Sequence, residues 1–571
     1  MANKVIMVGW DGATFDVINP LIQDGRLPFL KKIIDQGSSG VLMSVIPANS
    51  APAWSSFSTG MNPGKHGVYY FTERLPGSYR MGFTHSVTRT GKPLWMMVSD
   101  SGRNVGVINI PGTFPPDCVN GFMISGLDTP TTGYSFTWPE NIYEELKQNV
   151  GGYAIEPEEA RAVELKNDRD RHQFFEALRD NIELRWKCSK YLCRKFSPEL
   201  LILVFTATDR IQHRFWKYRD PNHPHYDKKS AELFRDAIPT IYSDLDRILG
   251  EVVGTMDNET TLFIISDHGM GIRSDKTIYV NRWLLYKGYL NLNVAGNVSD
   301  RIKGRIIDFI KKPLRIVKKA MSVSQRKWLR QYFHSLFKHG YFLLETMNID
   351  WASTKAYSNE LMNAIWINLE GREPLGMVKP GQQYEMLCEE IAQGLRELRD
   401  PETGEPIVKT IYKRDEIYHG SEISKAPDLV IEWNNYTTQT SSLSTREEAA
   451  RFLSKLTPDQ TSRAAMSQTS GEHMPNGILV AYGHGIKKKN RVEGANIIDM
   501  APTILYTLGE KIPQDMDGKI LKHIFTDDFL MANEAKFSST EEQKSYRPRE
   551  TDIAPEDEEE LKERLKALGY L

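Results

Sequence analysis

The sequence is poor in the features that mark several classes of protein. It has four cysteines in 571 residues, none in a Cys-x-x-Cys pair, so no disulfide framework is indicated. No apolar run approaches the roughly 18 residues of a membrane-spanning helix, so we expect no such helix. Charge of one sign is also lacking, because 72 basic residues face 74 acidic ones. We therefore predict no nucleic-acid partner.

A signal-peptide layout is absent from the first residues. The apolar run Val5–Val8 is too short for one and predicts a first buried strand. With four unpaired cysteines, this favours a reducing compartment and predicts a cytoplasmic protein. The sequence gives no indication of the oligomeric state.

The most informative segment is Ser266-Asp267-His268-Gly269, which follows the apolar run 261–265. A run of this kind predicts a buried strand of a parallel sheet. In open α/β sheets, ligands bind at the carboxyl ends of the strands. Asp and His are ligands for zinc, manganese or iron, although a single pair can equally cap a loop.

Three further apolar runs lie beside the same residue types. The run Val5–Val8 is followed by Asp11, and the run 200–205 by Asp209 and His213, which share a face if the chain there is helical. His473 precedes the apolar run 477–481. Three carboxylates and three imidazoles beside four predicted strands indicate a metal site.

A candidate nucleophile lies at Ser50. Pro52 is where a first-turn proline is tolerated, so Ser50 is predicted near the N-cap of a helix, within reach of its dipole. A bound metal would lower the pKa of its hydroxyl further. The alternative is that Ser50 is only a capping residue.

The order of these residues resembles the alkaline phosphatase superfamily and, within it, the type I phosphodiesterase/nucleotide pyrophosphatase family. In that family the nucleophile lies ten residues before the glycine of a Thr-Gly pair, and a Pro-x-x-His-Gly turn follows. Here Ser50 precedes Gly60 by that spacing, and Pro63–Gly67 follows. The family usually has threonine where this chain has Ser50.

The resemblance implies two divalent metal ions, with zinc favoured and manganese or iron as alternatives. It assigns Asp209, His213 and His473 to one ion. It assigns Asp11, Asp267 and His268 to the other. The implied reaction is hydrolysis of a small-molecule phosphate ester, a phosphodiester or nucleotide pyrophosphate bond, through a phosphoseryl intermediate on Ser50.

Asn109 and Arg210 are candidate substrate contacts. Asn109 ends a strand-like run, and Arg210 adjoins a predicted ligand and could pair with a phosphate. For both residues, a structural hydrogen bond or ion pair is the alternative interpretation.

Other functions stay open at this point. A phosphoglycerate mutase-like phosphotransferase would use the same serine and two metals, but usually needs several basic residues near the site. A sulfatase or phosphonate hydrolase of the same superfamily is also considered. Trp54 stands where a sulfatase motif has arginine, which argues against a sulfatase. A binding protein with an inactive site is the non-enzymatic alternative. The substrate could carry a nucleotide, lipid head group, phosphonate or sugar.

The sequence predicts an α/β protein, and the resemblance implies an alkaline-phosphatase-like three-layer αβα core with a mostly parallel central sheet. We expect a discontinuous core over residues 1–285 and 346–525. Strand-like runs at 364–368 and 428–432 are expected to return to the edge of the core sheet, beside a small α+β region. Residues 526–571 are predicted to form a polar tail with a terminal helix.

An inserted helical cap is predicted at 286–345. Within it, the stretch 301–338 has twelve Lys and Arg against one acid, with apolar residues interleaved. Three interpretations compete: a solvated cap over the site, a helix in peripheral contact with a membrane, and a platform for an anionic substrate.

Overall fold

A computed structural model describes residues 3–130, 135–159, 165–293, 349–359, 362–438, 446–455 and 469–539, together with residues 546, 548, 549 and 561. The basic stretch 301–338 lies outside the described residues. So does most of the predicted terminal helix. The predictions of a cap and of membrane contact therefore stay predictions.

Nine strands form the central sheet. In chain order they are β1 (Lys4–Trp10), β2 (Ser38–Met43), β3 (Val105–Ile108), β4 (Gly121–Ile124), β5 (Thr137–Trp138), β6 (Leu200–Phe205), β7 (Thr260–Ile265), β8 (Asn476–Gly483) and β9 (Asn490–Asn496). Their order across the sheet is β9-β2-β8-β7-β1-β6-β3-β4-β5. Only β8 and β5 run antiparallel to their neighbours. The predicted mostly parallel α/β sheet is confirmed.

Helices cover both faces of this sheet, because its strands bury alternate side chains on opposite sides. In β1, Val8 and Trp10 pack into one apolar cluster, while Val5 and Met7 pack into another. The first face carries helices Phe15–Gln23, Pro28–Asp35, Ile142–Asn149, Asp168–Phe196, Ala207–Arg219, Lys228–Phe234 and Ala237–Gly254. The second face carries helices Ser50–Thr59, Leu94–Asp100, Met500–Leu508 and Asp527–Ala532. Three layers result.

A second, smaller sheet has its own hydrophobic core. Its four strands are antiparallel, in the order Ala356–Tyr357, Ala364–Ile367, Leu429–Trp433 and Val408–Lys413. Helices Val280–Lys287 and Gln382–Arg396 pack in the same cluster. The small α+β region is therefore present. The expected return of these strands to the edge of the core sheet is wrong, because they pair with one another.

The remaining elements are short. Strands pair as Gly269–Ile272 with Gly471–Met474, Thr72–Arg74 with Met81–Phe83, Lys511–Pro513 with Lys536–Ser538, and Lys276–Ile278 with both Thr437–Thr438 and Leu453–Lys455. Short helical turns are Pro63–His66, Arg414–Ile417, Ile423–Lys425, Arg446–Ala449, Ile497–Asp499 and Lys522–Ile524. Among the described residues, no helix combines the length and apolar character needed to cross a membrane.

The middle of the sheet determines where the site forms. Strands β7, β1, β6 and β3 are adjacent and parallel. Their carboxyl ends therefore meet at one edge, where Gly9 pairs with Ile265 and Trp10 with Phe205. The predicted site residues that follow these strands are brought together there.

Candidate metal and catalytic site

Four of the six predicted ligands closely follow strands of the central sheet. Asp11 follows β1 directly, and its backbone N–H donates to Phe205 of β6 at 3.0 Å. Asp267 and His268 come just after β7. Asp209 lies in the first turn of the helix that follows β6. His473 lies on strand Gly471–Met474, which pairs with strand Gly269–Ile272 directly after His268.

Asp209, His213 and His473 form one group that could hold a metal ion. Asp209 Oδ1 lies 3.2 Å from His213 Nε2 and 3.3 Å from His473 Nε2. His213 Nδ1 lies 2.9 Å from the carbonyl oxygen of Gly471. Because a carbonyl only accepts, Nδ1 carries the proton and Nε2 presents a lone pair.

A second group consists of Asp11, Asp209 and His268. His268 Nε2 lies 3.7 Å from Asp11 Oδ1 and 3.4 Å from Asp267 Oδ2. His268 Nδ1 faces the carbonyl oxygen of Gly269 at 2.9 Å, so its Nε2 also presents a lone pair. The two groups adjoin, with the rings of His268 and His473 stacked at 3.7 Å. Asp209 belongs to both.

Ser50 lies beside the second group. It is the first residue of helix Ser50–Thr59, and the N-cap is its neighbour Asn49, whose side chain accepts from Ala51 N–H. Ser50 Oγ lies 3.1 Å from His268 Nε2 and is fully buried. Ser50 also forms a hydrogen bond with the Asp267 carboxylate, so its hydroxyl lies between two predicted ligands of the second ion, at the positive end of a helix.

Each of the three carboxylates has one oxygen held by a donor of the chain. Trp54 Nε1 donates to Asp11 Oδ2 at 3.2 Å. The backbone N–H of Gly12 donates to Asp267 Oδ1 at 3.3 Å. Arg210 donates to Asp209 Oδ2 at 2.8 Å. The remaining oxygens of all three face the imidazole nitrogens.

Electrostatics favour a cation between these groups. Burial, and then Asp267 and Asp209, raise the pKa of Asp11 well above its usual range. Burial, and then Asp209, raise the pKa of Asp267 to about 7. Burial would also raise the pKa of Asp209, but its contacts with His213 and His473 and the charge of Arg210 hold that pKa well below its usual range. Burial lowers the pKa of His268 to about 4, so its ring is neutral at pH 7.

The donor set is suited to divalent metal ions. Buried carboxylates raise one another's pKa only while no cation lies between them. Asp11 Oδ1 is buried and accepts no hydrogen bond from the described part of the chain. Carboxylate oxygen and neutral imidazole nitrogen are the ligands that zinc, manganese and iron share.

The two predicted substrate contacts have structural partners. Arg210 is buried and lies between Asp209 and Glu156, 3.4 Å from the latter. Asn109 Nδ2 donates to the carbonyl oxygen of Val204 at 3.2 Å, and its φ of 66° is left-handed. Both residues lie at the edge of the sheet where the carboxyl ends of the central strands meet. Their contact with substrate stays a prediction.

Sequence reasoning missed two residues that support the ligands. Glu156 lies in a loop without any motif and joins Arg210 to the hydroxyl of Thr206. Trp54 was considered only as a mismatch to a sulfatase motif. Its spacing, one helical turn after Ser50, was the available signal, because residues four apart share a helix face.

A family model gives the chain its family. The model of the type I phosphodiesterase/nucleotide pyrophosphatase family matches residues 5–451. The chain belongs to this family. As a member it is a hydrolase, and the predicted resemblance is confirmed. No curated protein matches the sequence significantly.

Solved structures similar to this phosphodiesterase family member include two enzymes. Human ectonucleotide pyrophosphatase/phosphodiesterase 5 is 14% identical, with 90% of this chain and 97% of that chain covered and a TM-score of 0.46. Phosphonoacetate hydrolase from Sinorhizobium meliloti 1021, in complex with phosphonoformate, is 15% identical, with 89% and 95% covered and a TM-score of 0.47.

Proposed function

We propose that the protein hydrolyses small-molecule phosphate esters, namely phosphodiesters or nucleotide pyrophosphate bonds, through a phosphoseryl intermediate on Ser50. One observation carries this proposal: Ser50 Oγ, at a helix start, lies 3.1 Å from a nitrogen of a candidate metal ligand. The family match supports the same reaction class. A cytoplasmic location remains part of the proposal.

Two divalent metal ions are part of this proposal. Asp209, His213 and His473 would hold one, and Asp11, Asp267 and His268 the other. Because Asp209 belongs to both groups, its carboxylate is the natural connection between them. Zinc is favoured by the three histidines, with manganese or iron as alternatives. When bound, such ions lower the pKa of a hydroxyl or water and neutralise charge on the phosphoryl oxygens.

The chain's own residues prepare the nucleophile. Ser50 loses its proton and its Oγ forms a bond to phosphorus as the bond to the leaving oxygen breaks. The leaving group takes up a proton and departs as an alcohol, while the rest of the phosphate ester stays on Ser50. Water then displaces Ser50 from phosphorus and restores its hydroxyl. Helix Ser50–Thr59 aims the hydroxyl, while the carbonyl of Gly269 fixes the tautomer of His268.

Three substrates distinguish the candidate activities. The protein is loaded with Zn²⁺ or Mn²⁺ and assayed with bis-p-nitrophenyl phosphate, p-nitrophenyl phosphate and p-nitrophenyl sulfate. We expect turnover of the diester that is lost in both Ser50→Ala and Asp267→Asn. Ser58→Ala is the matched control, because Ser58 is a buried serine of the same helix whose hydroxyl donates to Ser55 O.

Two results would contradict the proposal. Equal diester turnover in wild type and Ser50→Ala would exclude Ser50 as the nucleophile. Preferred turnover of the sulfate would favour the sulfatase alternative, in spite of Trp54.

A further inference from the structure

Trp54 links the nucleophile helix to a predicted metal ligand. Its indole Nε1 donates to Asp11 Oδ2 at 3.2 Å, and both residues are fully buried. Trp54 follows Ser50 by four residues on one helix, so both face the same side. The helix that carries the nucleophile therefore also holds Asp11.

Packing against neighbouring residues holds the indole ring of Trp54 in place. A Cβ on Gly9 of β1 would lie 2.8 Å from the Trp54 ring, so only glycine leaves room for it there. Phe57 packs against the ring edge-on at 5.4 Å. A side chain fixed in this way has little freedom, and its hydrogen bond fixes the Asp11 carboxylate in turn.

Asp11 is consequently constrained at both ends. Its backbone N–H is bonded to β6, and its Oδ2 is bonded to Trp54. Only Oδ1 faces His268 Nε2, at 3.7 Å. A carboxylate whose second oxygen is occupied by a donor binds a metal through one oxygen, in a fixed direction.

We propose that Trp54 is a positioning residue, which orients Asp11 for single-oxygen metal binding and couples that orientation to the placement of Ser50. This inference rests on the proposed metal binding. The residue does not contact the reacting atoms. Groups that hydrogen-bond metal ligands typically change metal affinity or activity by about 10–100-fold when removed.

Trp54→Phe tests the proposal, because it removes the N–H and keeps an aromatic ring. Trp95→Phe is the matched control. Trp95 is equally buried in the same hydrophobic cluster, and its Nε1 donates to Asp117 Oδ2 at 2.8 Å. Asp117 is in neither metal-binding group. Both variants lose an indole–carboxylate bond, but only one of these bonds holds a predicted ligand.

Zn²⁺ affinity is measured by competition with a chromophoric chelator, and kcat and KM with bis-p-nitrophenyl phosphate. We expect Trp54→Phe to bind its weaker ion about 10–100-fold less tightly than wild type, with kcat lowered and KM little changed. Trp95→Phe should keep wild-type affinity at a comparable loss of thermal stability.

Equal metal affinity in the two variants would overturn the proposal and leave Trp54 as a packing residue. Absence of Zn²⁺ and Mn²⁺ binding by the wild-type protein is a different result. It would contradict the proposed function itself, and the positioning role with it.

Discussion

Replacing Arg210 with methionine separates a structural role from a substrate contact. Arg210 is 1% exposed and lies between two buried carboxylates, those of Asp209 and Glu156. Methionine fills much of the same volume but carries no charge. The change therefore takes the cation away from two carboxylates in an environment of low dielectric constant.

The expected loss of folding stability follows from this burial. Breaking a buried ion pair by removing one partner costs about 3–5 kcal/mol, because a charge stays buried without its counterpart. An exposed pair is worth about 0–1 kcal/mol. Arg235, whose side chain is 71% exposed beside Asp236, supplies such a pair as control. We expect Arg210→Met to lose about 3–5 kcal/mol of stability and Arg235→Met to lose about 0–1 kcal/mol.

Urea unfolding at pH 7, followed by far-UV circular dichroism, measures both losses. Diester kinetics on the surviving folded protein give KM. A loss below about 1 kcal/mol for Arg210→Met, combined with a raised KM, would refute the structural role and support the contact with substrate.

Three further predictions concern a glycine beside the site, a buried histidine and metal removal. Gly12 has φ +67°, and a Cβ there would lie 3.2 Å from Asp209, whereas Gly25 has φ +72° with open space around it. Gly12→Ala should therefore lose metal affinity, while Gly25→Ala should cost only about 1–2 kcal/mol of stability. Burial lowers the pKa of His85 from 6.5 to about 4, so the folded protein binds fewer protons than the unfolded chain in that window. Stability should fall as the pH falls from 6.5 towards 4, and His85→Phe should flatten this dependence in urea titrations. Removing metal with EDTA should lower the melting temperature, and Zn²⁺ at 100 times its dissociation constant should restore about 2.7 kcal/mol; an unchanged melting temperature would contradict metal binding by the folded state.

The sequence predicted the centre of the fold because its signals there are local. Apolar runs such as 261–265 indicated buried strands, and a polar residue directly after each run indicated the edge where they meet. The i, i+4 spacing of Asp209 and His213 placed both on one helix face. The family resemblance added the partnership with Ser50, which spacing alone could not supply.

Pairing between distant segments could not be predicted in the same way. The runs at 364–368 and 428–432 look like core strands because both are apolar. Burial on both faces gives the same pattern in either sheet, and only the tertiary structure shows that Ala364 pairs with Val430. Glu156 was missed for a similar reason, since a buried acid in a loop has no periodic signal.

Arg210 shows a related limit of sequence reasoning. An arginine beside a metal ligand matches the chemistry of phosphate binding, and its sequence neighbours cannot reveal a carboxylate 54 positions away. The structure supplies that carboxylate as Glu156.

Ser50 should become covalently bonded to phosphorus during turnover. Metal-loaded protein is mixed with bis-p-nitrophenyl phosphate, quenched in acid within the steady state, digested and analysed by mass spectrometry. We expect a p-nitrophenyl phosphoryl group on the peptide that contains Ser50, absent from Ser50→Ala and from protein treated with EDTA. Turnover of the diester with this peptide unmodified, or with the group on another residue, would contradict it.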